Sequence, residues 1–341
     1  MTKAKHTTSA AQRREQERVR RKQRDQNTKT RVSGRRRGQQ HSTRNTLFVI
    51  GGIVVVLVLT VAGFIYFAEQ QKSSIIKTAK PDVFKSLTTV SPDLLSSVNT
   101  GGLHSTISSV LKPVKHAPLL KGPNGKPQVF YMGGEFCPYC GAQRWAMIIA
   151  LSKFGTFERP LTPIVSSESL VPTYSFYKTA YKSQYLDFVP IEVSDNQSPP
   201  KTQESLSPEQ QQLVKTYDAP PYTSAQSSGS YPFMSVGNQF VSAGSYFSPT
   251  LLTGHTYTDI ISQMKDPTTD ISRGMLGAAN YIIAQICKTT SNQPDTVCTA
   301  DPIPSIQGKL PRASLPTGHT AIASIRSLQE LAWRRYQEIQ A

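Results

Sequence analysis

Val129-Phe130-Tyr131-Met132-Gly133-Gly134-Glu135-Phe136-Cys137-Pro138-Tyr139-Cys140 is the stretch on which the reading of this chain turns. Its first four residues are a compact apolar run of strand character, and the two glycines supply a turn. Ala142 to Phe154 then carries Trp145, Ile148, Ile149 and Leu151 at helical spacing. The order is strand, glycine-rich turn, helix. The two cysteines lie three apart where the helix begins, so they share one face within reach of a disulfide. With Cys137 as N-cap, Pro138 falls at the first helical position, where its fixed φ fits and its missing N–H costs nothing.

A sulfur at that cap faces unpaired N–H groups and the positive end of the helix dipole. Such surroundings stabilise thiolate and lower a cysteine pKa to about 3.5–7.5. Cys137 is therefore the candidate nucleophile, forming a mixed disulfide that Cys140 resolves. A static disulfide, or half of a zinc site, has the same spacing. There is no second Cys-x-x-Cys and no adjacent histidine cluster, so neither a metal nor a cofactor is expected. Glu135 is either a proton acceptor beside the nucleophile or an ordinary solvated carboxylate. Phe136 and Tyr139 either shape a docking surface or simply pack against the turn.

Downstream, strand-like stretches occur at 161–166, 174–181 and 188–193. An irregular insert at about 195–229 follows, in which Ser207-Pro208-Glu209-Gln210 reads as a helix start and the whole as a lid or decorated loop. Pro232 opens a hairpin, Phe233–Val236 and Gln239–Val241 around Gly237-Asn238. Helices are expected at 251–264 and 271–286. Cys287 and Cys298 read best as a structural disulfide, with a second redox relay or free thiols as the other possibilities. Beyond them, 301–341 is read as a proline-marked linker and a terminal helix carrying Ile322, Ile325, Leu328 and Tyr336.

Upstream, residues 1–45 hold 15 Lys/Arg and 3 Asp/Glu, a net +12, leaving +4 of the formal +16 for the rest. With almost no apolar side chains to offset chain entropy, this tail is read as disordered. Leu47 to Phe67 contains no charge and at helical rise crosses roughly 30 Å of hydrocarbon. The apolar run is too long for a cleaved leader and lacks a small-x-small site, so 46–68 is read as an uncleaved signal anchor. The basic side stays cytoplasmic, which puts the C-terminal region outside a cell membrane crossed once. Residues 69–124, rich in Ser, Thr, Lys and Pro, are read as a stalk and lead-in. The basic tail is read as a topology determinant, and no nucleic-acid partner is expected. Four cysteines beyond the membrane segment suit an oxidising compartment.

The run Tyr131 to Cys140, with Thr173-Tyr174-Ser175-Phe176-Tyr177 and the pair Cys287/Cys298, resembles the membrane-anchored family called domain of unknown function 929, described as thioredoxin-like. The wider order of elements over about 125–290 resembles the thioredoxin superfamily. The resemblance implies an α/β domain at 125–300, with a thioredoxin-like central sheet flanked by helices, after the anchor and tail. It also implies a cis-proline at Pro232 beside the cysteines, where an ordinary trans proline is the alternative. Phe136 stands where thioredoxin has tryptophan, and Pro-Tyr replaces Gly-Pro between the thiols, so a thioredoxin-like reducing potential does not follow. The function expected is a thiol-disulfide oxidoreductase acting on thiols or disulfides of exported proteins, with a redox partner the sequence does not identify. The alternative is a non-catalytic interaction module tethered to the membrane.

Overall fold

The structure, a computed structural model, describes residues 10–311. The terminal segment with Ile322 to Tyr336, and residues 1–9 of the tail, lie outside the described residues. The chain divides into two units, Met1–Gln70 and Gln71–Ala341, which are taken separately.

In the first unit the backbone is helical from Ala10 onward, within α1 (Ala10–Ile76). The disorder expected for residues 10–45 is thus not what the structure has. Arg, Lys, Gln and Glu are good helix formers; a lack of apolar side chains argues against burial, not against local helix. From Phe48 the helix is long and apolar enough to cross a membrane, with mean hydropathy 2.9. Its side chains from Phe48 to Phe67 are exposed.

The second unit is a mixed α/β domain built on β2 (Gln128–Gly134), whose seven residues are all buried. Strand alternation splits it: Val129 and Tyr131 enter one apolar core, Phe130 and Met132 the other. A strand covered on both faces reads as a continuous apolar run, which is why Val129 to Met132 shows no alternation. After β2 comes α5 (Pro138–Leu151), then β3 (Gly155–Phe157), β4 (Pro163–Val165), β5 (Pro172–Tyr174), β6 (Tyr181–Ser183) and β7 (Asp187–Ser194). Strand β7 pairs parallel to β2. On the other side of β2, β8 (Phe233–Val236) runs antiparallel and turns into β9 (Phe240–Ala243). The sheet is closed by the short β1 (Leu111–Pro113), giving the order β1-β9-β8-β2-β7.

Before β1 stand α2 (Pro81–Thr88), α3 (Pro92–Val98) and α4 (His104–Val110), so the stalk reading of 69–124 is corrected. Ile75, Val83, Leu87, Leu95, Val98 and Ile107 all lie in the larger core. These helices have seven or eight residues, too few to show a period, and are held by tertiary burial. Gly101, at φ +59°, lets their loop lie against a long later helix: a β-carbon there would sit 2.0 Å from the Arg273 carbonyl oxygen.

The insert contains α6 (Pro208–Tyr217), capped reciprocally by Ser207 and Gln210. It is not a loose lid, since Leu213 packs on the second face of the sheet with Phe130, Met132 and Phe233. The strand expected across 174–181 is interrupted: β5 ends at Tyr174, Lys178 takes φ +54°, and β6 starts at Tyr181. Likewise 251–264 is no single helix. Pro249–Leu251 form one tight turn, Gly254 at φ +76° breaks the chain, and α7 (Tyr257–Met264) starts afresh from a Thr256–Asp259 capping box.

Helix α8 (Asp270–Thr289) carries Cys287, bonded to Cys298 at the end of α9 (Asp295–Cys298), with S–S 1.97 Å. Residues 301–310 are not linker: α10 (Ile303–Lys309) buries Ile303 and Ile306, and Leu310 follows them into the core. Replacing both Cys287 and Cys298 by serine is expected to cost about 2–3 kcal/mol of stability, the chain-entropy value for so short a loop. Chemical denaturation of the detergent-solubilised protein checks this; an unchanged midpoint would contradict it.

Candidate dithiol site

Cys137 is the N-cap of α5, in extended geometry at φ −78° and ψ 124°, with Pro138 in the first turn. Its sulfur accepts the Cys140 backbone N–H at 3.4 Å, and the Gly134 N–H points at the Cys140 sulfur at 3.5 Å. No disulfide joins the pair. Cys140 is fully buried, while Cys137 keeps 7% exposure. The Tyr231–Pro232 peptide bond is cis, and the Tyr231 carbonyl accepts from the Cys137 thiol at 3.9 Å. The peptide bond that enters Pro232 thus lies against Cys137, with Cys140 on the same side through its N–H and Pro138 and Tyr139 by adjacency.

The flanking residues separate. Tyr139 is 54% exposed, the one α5 residue that is not buried. Phe136 packs its ring edge-on against Tyr231, centroids 6.0 Å apart. Glu135 is not a solvated carboxylate. It is buried and accepts the Ser175 hydroxyl, which itself accepts the Tyr177 N–H at 3.0 Å. Cys287 and Cys298 lie in their own disulfide, away from this dithiol in role.

The two thiols differ in character. Cys137 is lowered to about 7 by the hydrogen bond from the Cys140 thiol, against the opposing effect of burial, with further help from the Cys140 N–H and Arg144. Cys140 is pushed well up, first by burial and then by its hydrogen bond to Cys137. Near pH 7 the arrangement therefore brings the cap sulfur to about half thiolate and keeps the thiol beneath it protonated.

Beneath Cys140 lies a buried ion pair that sequence reading does not find. Arg144 donates through Nε and Nη2 to the two Glu192 oxygens, both at 2.8 Å, and through Nη2 to the Gly134 carbonyl at 2.7 Å. Both side chains have no exposure. Burial is the largest influence on Arg144 and opposes its charge, but Glu192, Tyr131 and Cys140 together outweigh it and hold the guanidinium protonated. Burial pushes the Glu192 carboxyl up, with Arg144 pulling it back. The available signal is one charge of each sign inside otherwise uncharged, mostly apolar runs, Ala142 to Leu151 and Phe188 to Val193.

Asp218, which ends α6, is a second unforeseen group. It is 1% exposed and neither carboxylate oxygen has a hydrogen-bond partner; burial lifts it to about 7. Its folded value lies above its unfolded one. The Asp218 contribution to stability is therefore fully present in acid, falls as pH rises from the ordinary carboxylate range to about 7 as the unfolded chain ionises first, and is lost above it. Asp218→Asn is expected to remove this slope and gain about 1–2 kcal/mol at pH 8, checked by denaturation midpoints at pH 5 and pH 8. Equal midpoint shifts at both pH values would contradict the assignment.

A family model described as domain of unknown function (DUF929) matches residues 112–288, a little over half of the chain, and the chain belongs to that family. No curated protein and no solved structure matches it.

Proposed function

We propose that this chain is a membrane-anchored thiol-disulfide oxidoreductase of thioredoxin-like fold, in which Cys137 attacks and Cys140 resolves. The observation that carries the reading is the pairing of unlike thiols at one helix start: a cap sulfur that keeps 7% exposure and accepts the Cys140 N–H at 3.4 Å, beside a fully buried partner, an arrangement that favours thiolate at Cys137 and opposes it at Cys140. A cis Tyr231–Pro232 bond set against the same sulfur supports it. The fold reading draws on the parallel β2–α5–β7 unit, the antiparallel β8–β9 hairpin beside β2, and α8 after it.

The reaction is a two-step exchange. The Cys137 thiolate attacks a substrate disulfide and expels one thiolate; Cys140 then loses its proton and attacks the Cys137 sulfur, expelling the second. The reverse order delivers a disulfide to a dithiol. The charge-free span and the basic segment before it support a single pass with the domain outside the cytoplasm, which makes exported proteins the substrates. A non-catalytic tethered module is the second reading, favoured by the slight 7% exposure of Cys137.

Trapping separates the two. Full-length Cys140→Ala protein in its native membrane is expected to accumulate mixed disulfides with exported proteins through Cys137, released by dithiothreitol. Absence of such adducts, with Cys137 also unreactive to alkylation, would favour the module.

A further inference from the structure

The layer under the dithiol contains charges that the exchange steps above do not use. Arg144 follows Cys140 by four residues on α5 and shares its face. Glu192 stands opposite Gly133 in the β2–β7 register. The Tyr131 ring lies 6.0 Å from the guanidinium carbon, and its hydroxyl sits so close over Gly133 that a β-carbon there would be 2.1 Å away. Tyr131, Cys140, Arg144 and Glu192 are all at 0% exposure. The Arg144 Nη1 and the Tyr131 hydroxyl have no hydrogen-bond partner. Two of the guanidinium nitrogens are thus committed to Glu192, one of them also to Gly134, and the third is not.

We propose that the Arg144–Glu192 pair sets the reactivity of the dithiol from beneath: Arg144 is the cation that favours anionic sulfur in the pair, and Glu192 is the counter-charge that limits this effect. Both are positioning residues, since neither touches substrate. The proposal rests on the oxidoreductase reading.

Its physical basis is the unequal standing of the two charges. In a water-free layer a neighbouring cation stabilises thiolate and a neighbouring anion opposes it. Arg144 from α5 holds the Gly134 carbonyl while the Gly134 N–H points at the Cys140 sulfur; Tyr131 from β2 and Glu192 from β7 are the other titratable groups acting on that sulfur, and Glu135 at the turn acts on Glu192. Arg144 acts favourably on both sulfurs, whereas Glu192 acts against Cys140. Stabilised thiolate means a stabilised reduced state, and a dithiol so stabilised is a stronger oxidant when disulfide-bonded. In the exchange itself two electrons pass from the dithiol to a substrate disulfide. One S–S bond forms in the protein and one breaks in the substrate; the Cys140 proton, and the proton Cys137 gave to solvent on ionising, end on the two released substrate thiolates.

The test is the pH profile of Cys137 alkylation in full-length detergent-solubilised protein, with the equilibrium against glutathione measured alongside. Glu192→Gln leaves Arg144 without its counter-charge, so the alkylation midpoint falls by about 1 pH unit and the equilibrium shifts toward the dithiol. The double variant Arg144→Met/Glu192→Met fills the layer with apolar groups of similar size, and its midpoint rises above wild type. A merely structural pair would move neither midpoint, or both the same way. A Glu192→Gln midpoint that stays or rises overturns the proposal; should that variant not fold, a double-variant midpoint that stays or falls overturns it. Wild-type protein that never exchanges with glutathione would instead remove the oxidoreductase reading itself.

Discussion

Cys137→Ser is expected to lower the rate of exchange with oxidised glutathione by at least about a thousandfold, because a serine hydroxyl is not ionised near pH 7 and cannot form a mixed disulfide. The cap itself survives, since serine is a preferred N-cap and can accept the Cys140 N–H as the sulfur does. The loss is therefore chemical and not a matter of folding, and the denaturation midpoint should stay near that of wild type. Cys140→Ser is expected to behave differently. Its first step persists and the protein stalls as a glutathione adduct at Cys137, visible as a mass increase on the intact chain. A Cys137→Ser protein that exchanged at the wild-type rate would contradict the assignment of the nucleophile.

The largest stability effect is expected at Arg144→Met. The guanidinium ties the end of β2 to β7 through the Gly134 carbonyl and both Glu192 oxygens. Removing it leaves a fully buried carboxylate without its cation, a change that costs about 3–5 kcal/mol in comparable sites. Most of that cost is the desolvated Glu192 and not the lost pair, so Arg144→Met/Glu192→Met should recover the greater part. Denaturation midpoints of the single and double variants test this directly. A double variant no more stable than the single one would mean that the pair acts through packing and not through charge.

The parts of this domain that were legible in the sequence are those specified locally. The Ser207–Pro208 helix start, the Gly237-Asn238 hairpin and the Cys137–Pro138 cap each depend on residues within a few positions, and each stands where that chemistry puts it. The Cys287–Cys298 bond was legible for a related reason, two cysteines bracketing a short turn-rich stretch. What escaped was set by distant partners. Leu87, Leu95 and Ile107 come from polar-looking segments, and only burial against the core reveals them as helix faces. Arg144 and Glu192 are an ordinary helix residue and an ordinary strand residue until a parallel pairing of β2 and β7 brings them together. Glu135 reads as a surface carboxylate until Ser175 is seen against it. Local chemistry thus located the thiols, and long-range topology supplied the buried charges beneath them.

The reduction potential of the Cys137/Cys140 pair, measured on the full-length protein in detergent by equilibration against glutathione and quantitative alkylation, tests the oxidoreductase reading most directly. A redox-active dithiol is expected to titrate between about −120 and −270 mV, the upper part of that range marking an oxidant or isomerase and the lower end a reductant. A pair that remains a disulfide below about −300 mV would behave as a structural bond, and the oxidoreductase reading would give way to the tethered module.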